Sequence, residues 1–500
     1  MAFCPVCGAP GPEISTRCER VARFYGYSRA DLDKLAALKS SIAVPFFDVK
    51  RFFFVLESLA QHPLATEMLL AIESNAAPPP PNEFGNAVRI IPFHSAAFPG
   101  YQELYIKEDV SKTMVVYQHE EAIEHLGSEE RAVLFAELAT RFFGREDLVP
   151  ASVCGLTQAG AKFVASAGVS KQTFASLQEL QDPDVLGLWH QGVVPQAALV
   201  DLVLGQNDRN SQNVLLSRDG SLGTIRLIDN DDAFVTHERL VAPFAYLHRL
   251  VSVPDLHFGT VRTWFDHFSL ASLVSRLTPF ALPEATLSAL CRRFAFARHA
   301  TVSSMPLETF INQVFVERPP VSWRLPGCPW TVCRTVVKEE QGSTSYRTFV
   351  GEGVGHGFVV HRIEGKQLDM HVQISQPCWV SRQDEATALM DSLINDAAAE
   401  GFVHMIRRRF FVATPDVPDR LSLRVVDVRS DASGFHVVVK RGSLDRYGSR
   451  QVDKFISFAS LELALAAADS LEAELLRSHF VDMRARLEAF KAPRPATFFA

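Results

Sequence analysis

A chain of 500 residues with 47% apolar and 21% charged residues is long enough for several domains and has the balance of an ordinary folded protein. Its net charge of −7 argues against a surface dedicated to nucleic acid or anionic membrane, so nucleic acid is not an expected partner, although Arg407, Arg408 and Arg409 form a local basic cluster. Eight cysteines are too few for a disulfide scaffold, no apolar run approaches the ~20 residues that span a bilayer, and MAFCPVCGAP lacks the basic and apolar regions of a signal peptide, so the cytoplasm is the expected location.

Residues 1–82 are expected to form a helical segment that ends in a linker. Apolar residues recur at three- and four-residue spacing in ADLDKLAALKSSI and VKRFFFVLESLAQH, and the four prolines of SNAAPPPPN can neither continue a helix nor pair inside a sheet. CPVC has the spacing of two zinc ligands with Cys18 as a third, but no fourth cysteine follows before Cys154, which weighs against Zn2+ at Cys4, Cys7 and Cys18.

The pattern then changes over 83–325. VRIIPF and YQELYI read as strands around the loop HSAAFPG, and TMVVYQ as a third strand. SEERAVLFAELATRFFG reads as an amphipathic helix over 128–144, LVPASVCGL and AKFVAS as two further strands, and 195–205 as a helix. DRNSQNVLL and GTIRLID follow as a loop and a hairpin that ends on an acid, and 235–325 is helical again. Gly155, Gly160 and Lys162 lack the ending of a phosphate loop and read as a strand turn, while GEGVGHG at 351–357 reads as a flexible loop.

The remainder carries a weak repeat. Gly357-Phe358 matches Gly434-Phe435 at an offset of 77, and Asp391-Ser392-Leu393 matches Asp469-Ser470-Leu471 at 78. Two αβ units are expected, over 330–410 and 411–500, each of two or three strands and a helix, with protein docking or packing as their role. Lys440, Arg441, Arg446 and Arg450 read as solvated protection of a sheet edge rather than a phosphate-binding surface. Cys328 and Cys333 read as core or loop thiols.

Phosphoryl transfer asks a protein for positioned groups: acids that hold magnesium across the phosphates, a base or orienter for the acceptor hydroxyl, and a lysine against the phosphates. Asp208, Asn213 and Asp229 follow the order of base, amide metal ligand and second acid beyond a hairpin. Asp208 would orient the hydroxyl, and Asn213 and Asp229 would hold Mg2+, or Mn2+, against ATP. A surface turn would account for the Asn- and Asp-rich loop, but not for an acid carried inward at the end of the apolar strand IRLID.

ALVDLVLGQNDRNSQNVLL with GTIRLIDNDDAF resembles the catalytic and metal-binding loops of the atypical kinases, the group of the phosphatidylinositol 3- and 4-kinases and the actin-fragmin kinase type of protein kinase. Gly205, Asp208, Arg209, Asn210, Asn213, Ile228 and Asp229 stand in the places of that pattern, and Asn210 with IDN in place of IDFG leans toward the actin-fragmin type. LVPASV also resembles the VP-containing strand of the group. The resemblance covers about residues 85–325 and implies a two-lobed kinase-like core there; with the helical segment before it and the duplicated ββα module after it, the expected fold is an α+β chain. It implies an ATP- and Mg2+-dependent serine/threonine protein kinase with a protein substrate. A pseudokinase and a phosphatidylinositol-type lipid kinase are the alternatives.

Asp208 and Arg209 would then form the catalytic loop. The departure from the group is the lysine, which it carries on the strand before the first helix, where TMVVYQ offers Tyr117 or Gln118. Lys107, with Lys112 behind it, is therefore the candidate phosphate ligand. Glu130, ahead of Glu129 and Glu120, is the candidate partner acid on the first helix, and HSAAFPG with its single Gly100 is the candidate phosphate-covering loop.

Overall fold

The computed structural model describes residues 64–75, 86–96, 101–109, 128–156, 162–169, 174–177, 182–217, 225–240, 244–315, 324–340, 343–367, 369–413, 422–443, 451–478 and 480–482. The helices expected before residue 64, the CPVC pair, TMVVYQ, Lys112, Glu120, Gly100, Arg446 and Arg450 lie outside the described residues.

Helix α1 (Leu64–Ser74) precedes β1 (Asn86–Pro92) and β2 (Tyr101–Asp109). Helix α2 (Ser128–Glu137) runs on into a π-helical turn at Leu138–Phe142, and β3 (Ser152–Leu156) and β4 (Lys162–Val169) complete an antiparallel sheet in the order β1-β2-β4-β3. Strand β2 is thus interior, paired with β1 on one side and β4 on the other. Its side chains alternate: Leu104 and Ile106 are buried, which turns Lys107 to the opposite face.

The helical half begins with β5 (Phe174–Ser176), α3 (Asp182–His190) and α4 (Val193–Leu204), followed by β6 (Val214–Ser217) and β7 (Ile225–Leu227), which pair with β5 as a small sheet. Next come α5 (Ala245–His248), a 3-10 turn at Phe258–Val261 that leads into α6 (Arg262–Phe265), α7 (Leu270–Leu277), α8 (Glu284–Val302) and α9 (Leu307–Val314). From Val194 to Leu204, every residue of α4 except Gln196 is buried, as a helix that is apolar all round requires.

Helix α4 stops at Gly205, whose φ of 67° is left-handed and whose N–H returns to the Asp201 and Leu202 carbonyls. A Cβ at Gly205 would lie 2.5 Å from the Arg293 guanidinium, which is itself buried and donates to the Val203, Val235 and His237 carbonyls. Gly205→Ala is therefore expected to destabilise the protein by about 1–3 kcal/mol through backbone strain and displacement of Arg293. A lowered urea midpoint at unchanged slope would register it.

The segment between α2 and β3 is tied to α4. Both prongs of Arg145 meet Asp147 at 2.8 Å, and the same guanidinium donates to Gln196. Burial pushes the Asp147 carboxyl up, but the Arg145 pair outweighs it and holds the carboxyl below its ordinary value. A depressed folded-state pKa stabilises the fold above the unfolded value near ~3.9 and ceases to do so as pH falls through the folded one. The melting-temperature difference between wild type and Asp147→Asn should accordingly be present at neutral pH and close below about pH 3.9.

The last third is one sheet. Strands β8 (Thr331–Glu340), β9 (Ser343–Val354), β10 (Gly357–Lys366), β11 (Gln373–Ile374) and β12 (Cys378–Val380) precede α10 (Gln383–Ala399) and β13 (Val403–Ala413). Strands β14 (Ser422–Asp431), β15 (Gly434–Ser443) and β16 (Gln451–Phe458) precede α11 (Leu461–Arg477) and β17 (Phe480–Asp482). The order is β11-β10-β9-β8-β13-β14-β15-β16, with β12 on β10 and β17 on β13. The repeat seen in the sequence is a repeat of elements: β10 and β15 each have 10 residues, α10 and α11 each have 17, and β13 and β17 follow the helices. Each helix covers its own apolar cluster, Phe349, Val360 and Met390 in the first unit and Val426, Val437 and Ala468 in the second.

Three readings change. GEGVGHG is not a loop but a hairpin: Gly351 and Gly353 belong to β9, and a Cβ at Gly351 would sit 2.6 Å from the Trp330 ring, so glycine there makes room for the indole. Lys440 is no edge cation, because its amine is buried 3.5 Å from the fully buried Asp427 carboxylate. Arg407 and Arg409, on β13, are likewise spent across the two units, on Glu472 of α11 at 2.9 and 3.0 Å. Cys333 is a core thiol and Cys328 a half-buried one. No helix among the described residues is long and apolar enough to cross a membrane.

Candidate active site

Two loops meet beneath β2: residues 205–213 after α4, and residues 228–234 after β7. Their shape comes from a buried ion pair. Asp201 is an acid inside an apolar helix and is tolerable there only when paired. Arg209 supplies the charge, with Nε and Nη2 on the two Asp201 oxygens at 3.0 and 2.8 Å, and Tyr246 adds its hydroxyl at 2.8 Å. The other donors of Arg209 go to the Asn213 carbonyl (3.2 Å), the Ile228 carbonyl (2.6 Å) and Asn230 Oδ1 (2.7 Å). All five N–H groups of the guanidinium are used, the most an arginine can offer, and both loops are pinned by them. Burial pushes the Asp201 carboxyl up against the opposing pull of Arg209.

This placement changes the part given to Arg209. The sequence groups it with Asp208 as catalytic, but its side chain is fully buried and faces away from the cleft. It is a positioning residue for the loops on either side.

Gln206 joins the two loops as well. Its Oε1 accepts the Asp208 N–H at 3.1 Å and its Nε2 donates to the Asp229 carbonyl at 3.1 Å. Asn213 donates its amide to the Asp208 carbonyl at 2.9 Å, which turns its Oδ1 the other way, and Asn210 donates to Asp208 Oδ1 at 3.0 Å. The Ile228 N–H meets the Asn213 carbonyl at 3.1 Å, so the asparagine and the end of the hairpin lie side by side.

Asp229 has a φ of 55°, left-handed for a residue with a Cβ. Such a conformation is uncommon, is strained by roughly 1–2 kcal/mol, and is most easily adopted by Asp or Asn. Asn230 follows with its side chain inside, on Arg209 and on the Leu227 carbonyl at 3.1 Å. With Asn230 held inward, Asp229 and Asp231 turn together toward the cleft. There Lys107 crosses from the sheet and places Nζ 3.2 Å from Asp229 Oδ1 and 2.7 Å from Asp231 Oδ2. Burial and the neighbouring Asp231 push the Asp229 carboxyl up, whereas Lys107 pulls Asp231 down against its own burial. Burial works against the Lys107 charge, but the two acids more than offset it and raise the lysine above its ordinary value.

The structure thus sets Lys107 against Asp229 and ties the loop of Asp208 and Asn213 to the loop of Asp229. Glu130 is buried on α2, and among the described residues the ion pairs of Lys107 run to Asp229 and Asp231, not to it. The neighbouring Arg131 donates to the Asp231 carbonyl at 2.6 Å. The sequence reading missed Asp201, Gln206, Asn230, Asp231 and Tyr246. Of these, Asp201 had a signal, a lone acid in LVDLVL eight residues before an arginine.

A cation in this cleft would have few protein ligands. No group of three or more His, Cys, Asp and Glu side chains gathers among the described residues. The Asp229 carboxylate and the outward Asn213 amide oxygen are an incomplete oxygen set. That fits Mg2+, which is commonly held by one or two carboxylates with phosphates and water supplying the rest. No protein-family model matches the chain, and no curated protein sequence matches it.

Proposed function

We propose that the chain is an ATP- and Mg2+-dependent phosphotransferase of the atypical kinase type, acting on a serine or threonine hydroxyl of a protein. One observation carries the reading: Lys107 reaches from an interior strand to the acid that ends the hairpin, 122 residues away, beside the loop of Asp208 and Asn213. It also bears on the lysine that the sequence lacked at Tyr117 and Gln118. Among the described residues, β2 is the strand that precedes α2, the place where the atypical kinases carry their lysine.

In this reading Lys107 faces the α- and β-phosphates and Asp208 orients the acceptor hydroxyl for in-line attack. Asp229 and Asn213 would hold the metal, which when bound neutralises charge between the phosphates. Asp201, Arg209 and Gln206 would hold the two loops, and with them Asp208 and Asp229, in a fixed relation to each other.

Transfer of label from γ-labelled ATP in Mg2+ or Mn2+ to a mixed protein extract, beside Asp229→Ala, tests the reading. Label in protein with wild type only supports it. Label in the lipid fraction would point to a lipid kinase. No label, with nucleotide-dependent thermal stabilisation intact, would make the chain a pseudokinase. The absence of both label and stabilisation would overturn the kinase reading.

A further inference from the structure

We propose that Asp231 is the positioning residue for Lys107: the carboxylate that aims the phosphate-facing ammonium comes from the metal loop, two residues past Asp229, and not from helix α2. The inference rests on the nucleotide reading of the cleft. Protein kinases hold this lysine with a glutamate of their first helix. Here Lys107 takes its shorter contact, 2.7 Å, from Asp231 and the longer, 3.2 Å, from Asp229.

The two acids are not equivalent. The Asp231 side chain is 23% exposed and the Asp229 side chain 41%, so Asp229 is the acid open to a cation and Asp231 the one enclosed with the lysine. The loop is built to keep Asp231 in place. Asn230 is anchored to Arg209, Arg131 holds the Asp231 carbonyl at 2.6 Å, and the Asn207 N–H holds the next carbonyl, of Asp232, at 3.2 Å. Helix α2 therefore acts on the backbone of the acid rather than on the lysine. An ammonium has three N–H donors. Asp231 takes one permanently, which leaves the others to face phosphate oxygens once Asp229 serves the cation.

The test compares wild type with Asp231→Asn, Asp231→Glu, Lys107→Met and the double variant Lys107→Met/Asp231→Asn, each measured for melting temperature without nucleotide and for MgATP affinity by calorimetry. Asp231→Asn should weaken MgATP about tenfold, the loss expected for one charge-assisted hydrogen bond. Asp231→Glu should recover most of that, and Asp231→Asn should lose nothing further when Lys107 is already methionine. Equal losses in both backgrounds, or no loss in a folded Asp231→Asn protein, would overturn the positioning role alone. If the wild type binds no MgATP while the melting temperatures still show Lys107 and Asp231 to be coupled, the nucleotide reading fails and the positioning role fails with it, leaving a structural ion pair.

Discussion

Asp229→Ala is expected to lower the proposed phosphotransfer rate by ~10²–10⁴ while leaving the protein folded. The expected separation of activity from stability follows from the geometry. Asp229 is the more exposed of the two acids on Lys107 and makes the longer contact, 3.2 Å, so its pair contributes the smaller share to folding. Lys107 keeps Asp231 when Asp229 is gone. Alanine also fits the left-handed backbone at this position no better than aspartate does, so no large relief of strain is expected to offset the lost contact. What disappears is the carboxylate proposed to hold the cation against phosphates. Initial rates of label incorporation beside melting curves would check both halves, and full activity in a folded variant would remove Asp229 from the metal site.

Arg209→Ala should do the reverse in order of cause. It leaves Asp201 as an uncompensated charge in the middle of α4 and frees the Asn213 and Ile228 carbonyls and Asn230 at once. Breaking a buried ion pair by removing one partner destabilises by about 3–5 kcal/mol, a large share of the stability of an ordinary domain. Activity would be lost because both loops move, not because a reacting group is missing. Chemical denaturation would show the loss directly. The double variant Arg209→Met/Asp201→Asn, which removes both charges, should recover a substantial part of it, and a midpoint within experimental error of wild type in Arg209→Ala would refute the clamp.

Much of this architecture could be read from local pattern. Strands β1 and β2, helix α4 and the hairpin after Asn213 follow from alternation, an all-apolar helix and a glycine stop, all properties of neighbouring residues. The π turn after Glu137 and the glycines of β9 could not be, since the first is a shift in helical register and the second depends on where Trp330 lands. The lysine is legible as a candidate, since Lys107 ends ELYIK on a strand beside the expected one, but its partners are not. Reading TMVVYQ as the strand before the first helix left the charge missing, whereas Lys107 reaches the cleft from β2 because of how β2 pairs. Which acid meets it is a matter of the turn at Asp229, Asn230 and Asp231, and no spacing rule links that turn to a strand 122 residues earlier.

The two copies of the duplicated unit stand in unequal relation to the rest of the chain. In the first copy Cys333, Val350 and Ile363 belong to the same apolar core as the helices α7 and α8. Arg298 of α8 meets Glu352 at 2.6 Å, and Glu284 takes the Thr335 N–H at 2.8 Å. Among the described residues, the second copy shares its core with the first copy only through β13, which contributes Phe411 to it and joins the two halves of the sheet. Substitutions inside the first copy are therefore felt directly by the helices that carry the two loops, whereas those in the second copy reach them only by way of β13. If the duplication has acquired a new role, it is the second copy that has had the latitude to do so.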